Sequence, residues 1–464
     1  MKKTLLLFSL CASMFSYKAA AQEPYTLNLF NQAVYYGMYE GTVDEPLPEG
    51  AIRHSNSSYG KKLTAEQIAS FGNTLTMTVT LNPLCDNYDR IGKVNLVLVP
   101  AGATSYAYND TNITRMEIGR FITPFMDMNV TDPNAVPYVY NVDNLTQIFH
   151  DATINTEYDF WVELEVYGYQ GGPGQGGAAV EIPGCAGRND VYMGSLDFTS
   201  TTNPDLVLGE NHFVPLISNY ELKKYAYPTN TDVEGETTKT VTFTLDEAVP
   251  NAKFYLITSN HGSNSGGEEY VRRWHYVYLD GVQVSSYRPG GVSCVPYSVY
   301  NTQPNCIYLL CNGTSAPRPD TNSAWSWNNW CPGDKIPIRE IALGDLEAGE
   351  HSFKIDVPAA TFTDDQGYFP MSVYFQGYTE VNLSTKQLDV VNFSIAPNPV
   401  TDVATITTTA GQEVKSVAVI NTLGQTVWTG TSDKVDLSSL QSGIYVVNVA
   451  FTNNQTATKK VVKN

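Results

Sequence analysis

Hydrophobic and polar residues alternate along this chain with the two-residue period of β-strands. Thr74-Leu75-Thr76-Met77-Thr78-Val79-Thr80-Leu81 alternates without a break, placing Leu75, Met77, Val79 and Leu81 on one face. Val241, Phe243 and Leu245 alternate with threonines in the same way. Phe160, Val162, Leu164 and Val166 do likewise and leave Trp161, Glu163 and Glu165 on the opposite face. Glycine, proline and asparagine interrupt these runs at short intervals, as antiparallel sandwiches require. The best helical segment is a short one near Thr64 to Phe71. The pattern predicts an all-β protein.

At 464 residues the chain is too long for one ordinary domain. Lys2 and Lys3, the apolar stretch Leu5 to Phe15 and the small residues Ala19-Ala20-Ala21 read as a signal peptide over residues 1–21. Its apolar run is too short to span a bilayer, and no later stretch reaches the length needed, so an exported protein without a membrane span is expected. A break at Ser200 to Pro204 predicts domains at 22–200 and 201–385, and a second near Asn382 to Asp389 sets off a last unit at 390–464. The segment Gln170-Gly171-Gly172-Pro173-Gly174-Gln175-Gly176-Gly177 is a glycine-rich excursion at the edge of the first domain.

The formal charge is −19, and removal of Lys2, Lys3 and Lys18 with the signal takes it to −22. Such a surface repels nucleic acid and anionic lipid, so neither is an expected partner. Cys11 leaves with the signal, and Cys85, Cys185, Cys294, Cys306, Cys311 and Cys331 remain as disulfide candidates whose pairing the sequence leaves open. The histidines at 54, 150, 212, 261, 275 and 351 form no His-x-His or His-Glu-x-x-His, which argues against a zinc hydrolase or a histidine-clustered copper enzyme. No Gly-x-Ser-x-Gly marks a serine hydrolase. Asp364-Asp365 in a glycine-containing turn fits calcium, or more simply a solvated turn.

Four segments in fixed order carry the chemistry. They are Cys85-Asp86-Asn87-Tyr88-Asp89-Arg90, Glu117-Ile118-Gly119-Arg120-Phe121-Ile122-Thr123-Pro124, Gly266-Gly267-Glu268-Glu269 and Trp330-Cys331-Pro332-Gly333. In that order and spacing they resemble the peptide-N-glycosidase F family, amidases that remove N-linked glycans from asparagine. The resemblance implies two eight-stranded antiparallel jelly rolls side by side, with a site in the cleft between them. It implies Asp89 and Glu269 as catalytic carboxylates, with Glu163, Arg90, Tyr88, Trp327 and Trp330 binding substrate. Hydrolysis of an amide needs a base for water, an acid for the leaving nitrogen and donors for the carbonyl oxygen. Carboxylates with pKa values driven apart supply the proton chemistry without metal or cofactor.

The chain departs from the family pattern at several places. Tyr88 stands for a tryptophan, Glu165 for a tryptophan near Glu163, and His261 for a tryptophan before the glycine turn. Gly267 and Val271 replace a cysteine pair, and Trp327 replaces an arginine three residues ahead of Trp330. Arg318, Arg272 and Arg273 are the candidates to replace that guanidinium. The alternative is a binding protein for glycans or glycopeptides that keeps the scaffold without turnover, and a third reading is a structural adhesin. A load of 30 tyrosines and 6 tryptophans suits sugar stacking and all-β folding equally.

The last unit, from Phe393-Ser394-Ile395-Ala396-Pro397-Asn398-Pro399 through Leu423-Gly424-Gln425 and Gly443-Ile444-Tyr445 to Lys459-Lys460-Val461-Val462-Lys463, resembles the C-terminal sorting domain of the type IX secretion system. That implies a small immunoglobulin-like β-sandwich, the type IX machinery as a partner, a Bacteroidota-type envelope and extracellular delivery. A monomer acting on N-glycosylated proteins or glycopeptides is expected.

Overall fold

The computed structural model describes residues 23–39, 41–204, 206–226, 230–263, 267–303, 329–382, 393–408, 413–422, 424–452 and 456–464. The expected signal peptide, Trp327, Arg318, Cys306 and Cys311 lie outside the described residues. The chain forms two compact units that divide between Val381 and Asn382. Among the described residues no helix is long and apolar enough to cross a membrane.

The first unit holds two sandwiches. One sheet of the first sandwich runs in the order Tyr25–Tyr36, Asp190–Thr201, Thr74–Pro83, Val136–Asn141. The other runs Lys335–Ile336, Thr114–Ile122, Ile91–Pro100, Tyr158–Val166, Ser58–Lys62, Ala51–Ser55. Leu75, Met77, Val79 and Leu81 point into the core between them, with Leu96, Phe160, Val162 and Leu164 from the opposite sheet. This sandwich exceeds the eight strands expected: the hairpin Ala51–Lys62 widens one edge, and Lys335–Ile336 pairs with Arg120 and Phe121 at the other.

The second sandwich has the expected eight strands. Leu206–Leu222, Phe369–Asn382, Val249–Thr258 and Arg339–Leu346 form one sheet, and Thr238–Leu245, Gly349–Asp356, His275–Leu279 and Val282–Tyr287 the other. Phe243, Phe254, Phe353 and Phe375 fill its core. The predicted short helix is Ala65–Ala69, begun by a reciprocal cap between Thr64 and Gln67.

The strand Tyr158–Val166 is covered on both faces. Trp161, Glu163 and Glu165 are at most 3% exposed, because Tyr106, Tyr108 and His54 lie over them, so this face is not a solvated one. Buried carboxylates require partners, and these have them. Glu163 accepts from Arg115 Nε and Nη2 at 2.7 and 2.8 Å, Tyr106 Oη at 2.8 Å and Asn95 Nδ2 at 2.9 Å.

A fully buried ion pair joins the sandwiches. Arg120 donates Nε and Nη2 to the Glu117 carboxylate at 2.7 and 2.6 Å, both residues belonging to the first sandwich. Its Nη1 reaches across to the Pro370 carbonyl at 2.6 Å and the Ser259 hydroxyl at 3.0 Å. The Ser372 hydroxyl donates to Glu117 in return. Asn144 donates to Tyr374 and Gln376 on the same seam.

The second unit is a β-sandwich of three strands, Phe393–Ala396, Val403–Thr408 and Lys434–Asp436, against four, Val414–Ile420, Thr426–Gly430, Gly443–Phe451 and Thr456–Lys463. Two of the sequence motifs have a structural task. The Asn398 side chain of Pro-Asn-Pro bonds Lys460 O and Val462 N, pinning the final strand. Tyr445 of Gly-Ile-Tyr buries its ring and donates its hydroxyl to Gln441 O at 2.8 Å.

Candidate active site

The segment Cys85–Arg90 links the strand Thr74–Pro83 to Ile91–Pro100, and its ends are fixed. Cys85 forms a disulfide with Cys185. The buried Asp86 carboxylate accepts from Arg90 Nε at 2.8 Å and from the backbone N–H of Tyr88 and Tyr169 at 3.0 and 2.7 Å. Thr123 holds the far side: its hydroxyl accepts from Arg90 N at 2.7 Å and donates to Tyr88 O at 2.9 Å. Asp89 is thereby held between two residues whose backbones are clamped.

Glu269 arrives from the second sandwich, and its neighbour does the anchoring. Glu268 is fully buried, paired with Arg273 at 2.8 Å and accepting from the N–H groups of Thr361 and Phe362. With Glu268 tied down, Glu269 turns to the cavity, where Gly262 N–H donates to its carboxylate at 3.3 Å. Asn329 Nδ2 bonds the carbonyls of both glutamates at 2.8 and 2.6 Å. Trp330 Nε1 bonds Asn260 O at 2.9 Å, which closes the Trp-Cys-Pro-Gly segment against the same turn. That segment docks in turn on the second motif, through Gly333 N to Ile122 O and Ile122 N to Asp334 O, each 3.0 Å. The four sequence motifs are therefore one hydrogen-bonded assembly.

At its centre is a cavity of about 130 Å³ lined by Tyr88, Asp89, Arg90, Ile91, Ile122, His261, Ser263, Glu269 and Trp330. Asp89 and Arg90 also face a larger one of about 420 Å³, with Tyr39, Lys93, Tyr167, Glu221, His261 and Tyr368. A third, of about 450 Å³, lies on the other side of Tyr88 and Arg90, against Phe125, Tyr169 and the glycine-rich loop. Burial, and then the charge of Glu269, push the Asp89 carboxyl up to about 8, with Arg90 opposing. Two acids in one small space disfavour each other's ionisation, which keeps Asp89 toward its protonated form.

The structure brings Asp89, Glu269, Arg90, Tyr88 and Trp330 together. Glu163 lines neither cavity that Asp89 faces. Burial works to raise its pKa, but the Arg115 hydrogen bonds and charge prevail and hold it below the ordinary range. Two residues along, Glu165 pairs with Lys93 at 3.3 Å and accepts from Tyr167, both of which line the larger cavity. Arg272 is spent on the carbonyls of Pro289, Arg288 and Gly290, and Arg273 on Glu268. Cys294 pairs with Cys331, beside Trp330.

Sequence reasoning missed Tyr39, Tyr167 and Tyr368 among thirty tyrosines, and it gave Thr123 and His261 no role. Thr123 lies within the segment Glu117 to Pro124, a signal that was available.

The chain matches two known protein families, one of them through both of its halves. Peptide-N-glycosidase F, N terminal, matches residues 26–168, and Peptide-N-glycosidase F, C terminal, matches 227–376. The secretion system C-terminal sorting domain matches 394–464. No curated protein sequence matches the chain. Among solved structures it is similar to PNGF-II in space group P21, at 18% identity and TM-score 0.53, over 76% of this chain and 65% of that one. PNGF-II in space group C2 gives 18% and 0.53, over 78% and 66%. The chain thus spans just under two thirds of the length of PNGF-II, and the likeness is one of fold. It is also similar to PNGase F, a glycosylasparaginase from Flavobacterium meningosepticum, at 14% identity and TM-score 0.47, over 77% of this chain and 96% of that one. With both halves of one family matched in order ahead of the sorting domain, this chain belongs to the peptide-N-glycosidase F family and is directed by type IX secretion to the cell surface or extracellular space.

Proposed function

We propose that the protein is a glycoamidase that hydrolyses the amide between asparagine and N-acetylglucosamine in N-glycoproteins or glycopeptides. The observation that carries this reading is the sharing of one small cavity by Asp89 and Glu269, where burial and the Glu269 charge push the Asp89 carboxyl up to about 8 and favour its acid form. Glu269 takes a proton from water as it attacks the carbonyl carbon. Asp89 delivers its proton to the nitrogen as the carbon–nitrogen bond breaks. The peptide keeps an aspartate, and the glycan leaves as a glycosylamine that water converts to the free sugar and ammonia. Arg90 and Tyr88 border the reacting centre, while Tyr39, Tyr167 and Tyr368 give the larger cavity apolar ring faces for sugar.

One observation favours the binding-protein reading. Arg272 and Arg273 are both engaged away from the cavity, so neither supplies the guanidinium whose family position Trp327 occupies. Mass spectrometry of an N-glycopeptide incubated with the mature protein separates the two. Loss of the whole glycan with asparagine converted to aspartate, abolished in Asp89→Asn, supports the amidase. An intact glycopeptide retained on immobilised protein supports a binding module instead.

A further inference from the structure

His261 lines both the small cavity and the larger one, and it is a histidine where the family pattern has tryptophan. A chain of buried contacts fixes its ring. Arg120 can only donate, so the Ser259 hydroxyl accepts from Arg120 Nη1 at 3.0 Å. That hydroxyl has one hydrogen left to give, and its other partner is His261 Nε2 at 2.8 Å. Among the described residues that hydrogen has no partner but Nε2, so the arrangement that satisfies it makes Nε2 the acceptor, and in a neutral imidazole the ring proton then resides on Nδ1. The ring stacks on Trp330 with centroids 5.7 Å apart and lies 5.9 Å from Tyr368. Among the described residues no group bonds Nδ1, and the ring borders the space that Asp89 and Glu269 share.

We propose that His261 is a neutral, pre-oriented hydrogen-bond donor whose Nδ1–H holds the carbonyl oxygen of the amide under attack. The inference rests on the amidase reading above and supplies its missing electrophile. A donor fixed before the reaction stabilises the negative charge that grows on that oxygen, without rearrangement. Neutrality matters, because an imidazolium is itself an acid and would compete with the carboxylates in delivering protons. Burial, and then the nearby Arg120 charge, push the ring's pKa down to about 3, so it stays neutral through the working range. Neutral histidines used as electrophiles have precedent in enzymes that polarise carbonyls. Ser259 is a positioning residue here, since it acts only through His261.

Two measurements on the full mature protein test this. The first is the ¹⁵N spectrum of histidine-labelled protein between about pH 5 and 8, with His261 assigned by its loss in His261→Phe. The expected result is Nδ1–H with a bare Nε2 throughout, lost or inverted in Ser259→Ala. Protonated Nε2, or a ring that becomes cationic in this range, overturns the proposal whether or not the protein is an enzyme. The second is glycopeptide hydrolysis by His261→Phe, which keeps a stacking ring but no donor. The expected fall in kcat is roughly 10²–10³-fold with KM nearly unchanged, and His261→Gln restores part of it. An active wild type whose His261→Phe variant retains kcat within about threefold overturns the donor role alone. A wild type that leaves glycopeptide intact overturns the amidase reading, and the donor role with it.

Discussion

The Thr123 hydroxyl accepts the backbone N–H of Arg90 at 2.7 Å, while the Thr123 N–H donates to the Arg90 carbonyl at 2.8 Å. A residue at the end of one motif thus fixes both polar groups of the residue next to Asp89. Since the same hydroxyl also donates to Tyr88 O, it spans the backbone on both sides of the candidate catalytic aspartate.

Thr123→Val keeps the shape and removes the hydroxyl, which leaves Arg90 N without its acceptor, while Tyr88 O keeps the Tyr192 hydroxyl at 3.0 Å. A buried group left unpaired costs about 1–3 kcal/mol. The expected outcome is a loss of that size in urea unfolding together with a larger fractional loss of kcat, since Asp89 is no longer held. Thr123→Ser should restore both. Unchanged kcat in a folded Thr123→Val protein would show that this clamp does not position the site.

Asp89 gives a prediction with a definite sign. Its native pKa is pushed up to about 8, whereas an unfolded aspartate titrates near 3.9. Between those values the native state holds a proton the unfolded chain has lost, so stability falls as pH rises and is lowest above about 8. Asp89→Asn carries no charge at any pH. Its Tm should match the wild type near about pH 4 and exceed it increasingly toward pH 8, by at least about 2–4 °C. Calorimetry across that range checks this, and a constant or reversed gap contradicts the assignment. If Asp89 is the acid, wild-type kcat should also decline as pH rises through about 8.

How far the sequence revealed this structure depends on where the contacts come from. The alternation in Thr74–Leu81 was legible because one face of that strand is buried and the other partly exposed, which is what a two-residue period encodes. Tyr158–Val166 alternates too, yet its polar face is sealed by Tyr106, Tyr108 and His54, residues remote in sequence. Periodicity cannot register a cover that arrives from elsewhere. The order of the four motifs made Asp89 and Glu269 legible as a pair. The resemblance singled out Glu269 over Glu268, but the physical reason lay in the fold: Arg273, Thr361 and Phe362 grip Glu268 and leave its neighbour to the cavity. The even cysteine count predicted disulfides, and the pairs Cys85–Cys185 and Cys294–Cys331 needed the fold.

Cys294–Cys331 closes a loop with a sequence separation of 37 and sits next to Trp330. Loop-closure entropy for that length corresponds to about 4 kcal/mol in the chain-entropy account. Its loss also frees the segment whose Asn329 and Trp330 side chains bind the Glu269 turn. The Cys294→Ala/Cys331→Ala double variant should therefore lose stability and show reduced kcat at temperatures where it is still folded. Thermal unfolding beside single-temperature kinetics tests this. A variant that loses Tm but not kcat would make the disulfide a staple of the fold without influence on Glu269.

The Glu117–Arg120 pair offers the sharpest test of what joins the sandwiches. Both side chains are fully buried, and the guanidinium also serves Ser259 and the Pro370 carbonyl across the seam. Removing one partner strands the other charge in a medium that cannot solvate it, at a cost of about 3–5 kcal/mol. Arg120→Met should lose that much in urea unfolding, and Glu117→Gln somewhat less, because its amide can still bond Ser372. Glu117→Leu combined with Arg120→Met should be less damaging than Arg120→Met alone, because no charge is left unpaired. The double variant should nevertheless be catalytically poor, since Ser259 then lacks the donor that orders its hydroxyl toward His261. Recovery of stability without recovery of kcat would separate the pair's role in the seam from its role in the site. Joint recovery would show that Arg120 acts on the chemistry only by holding the sandwiches together.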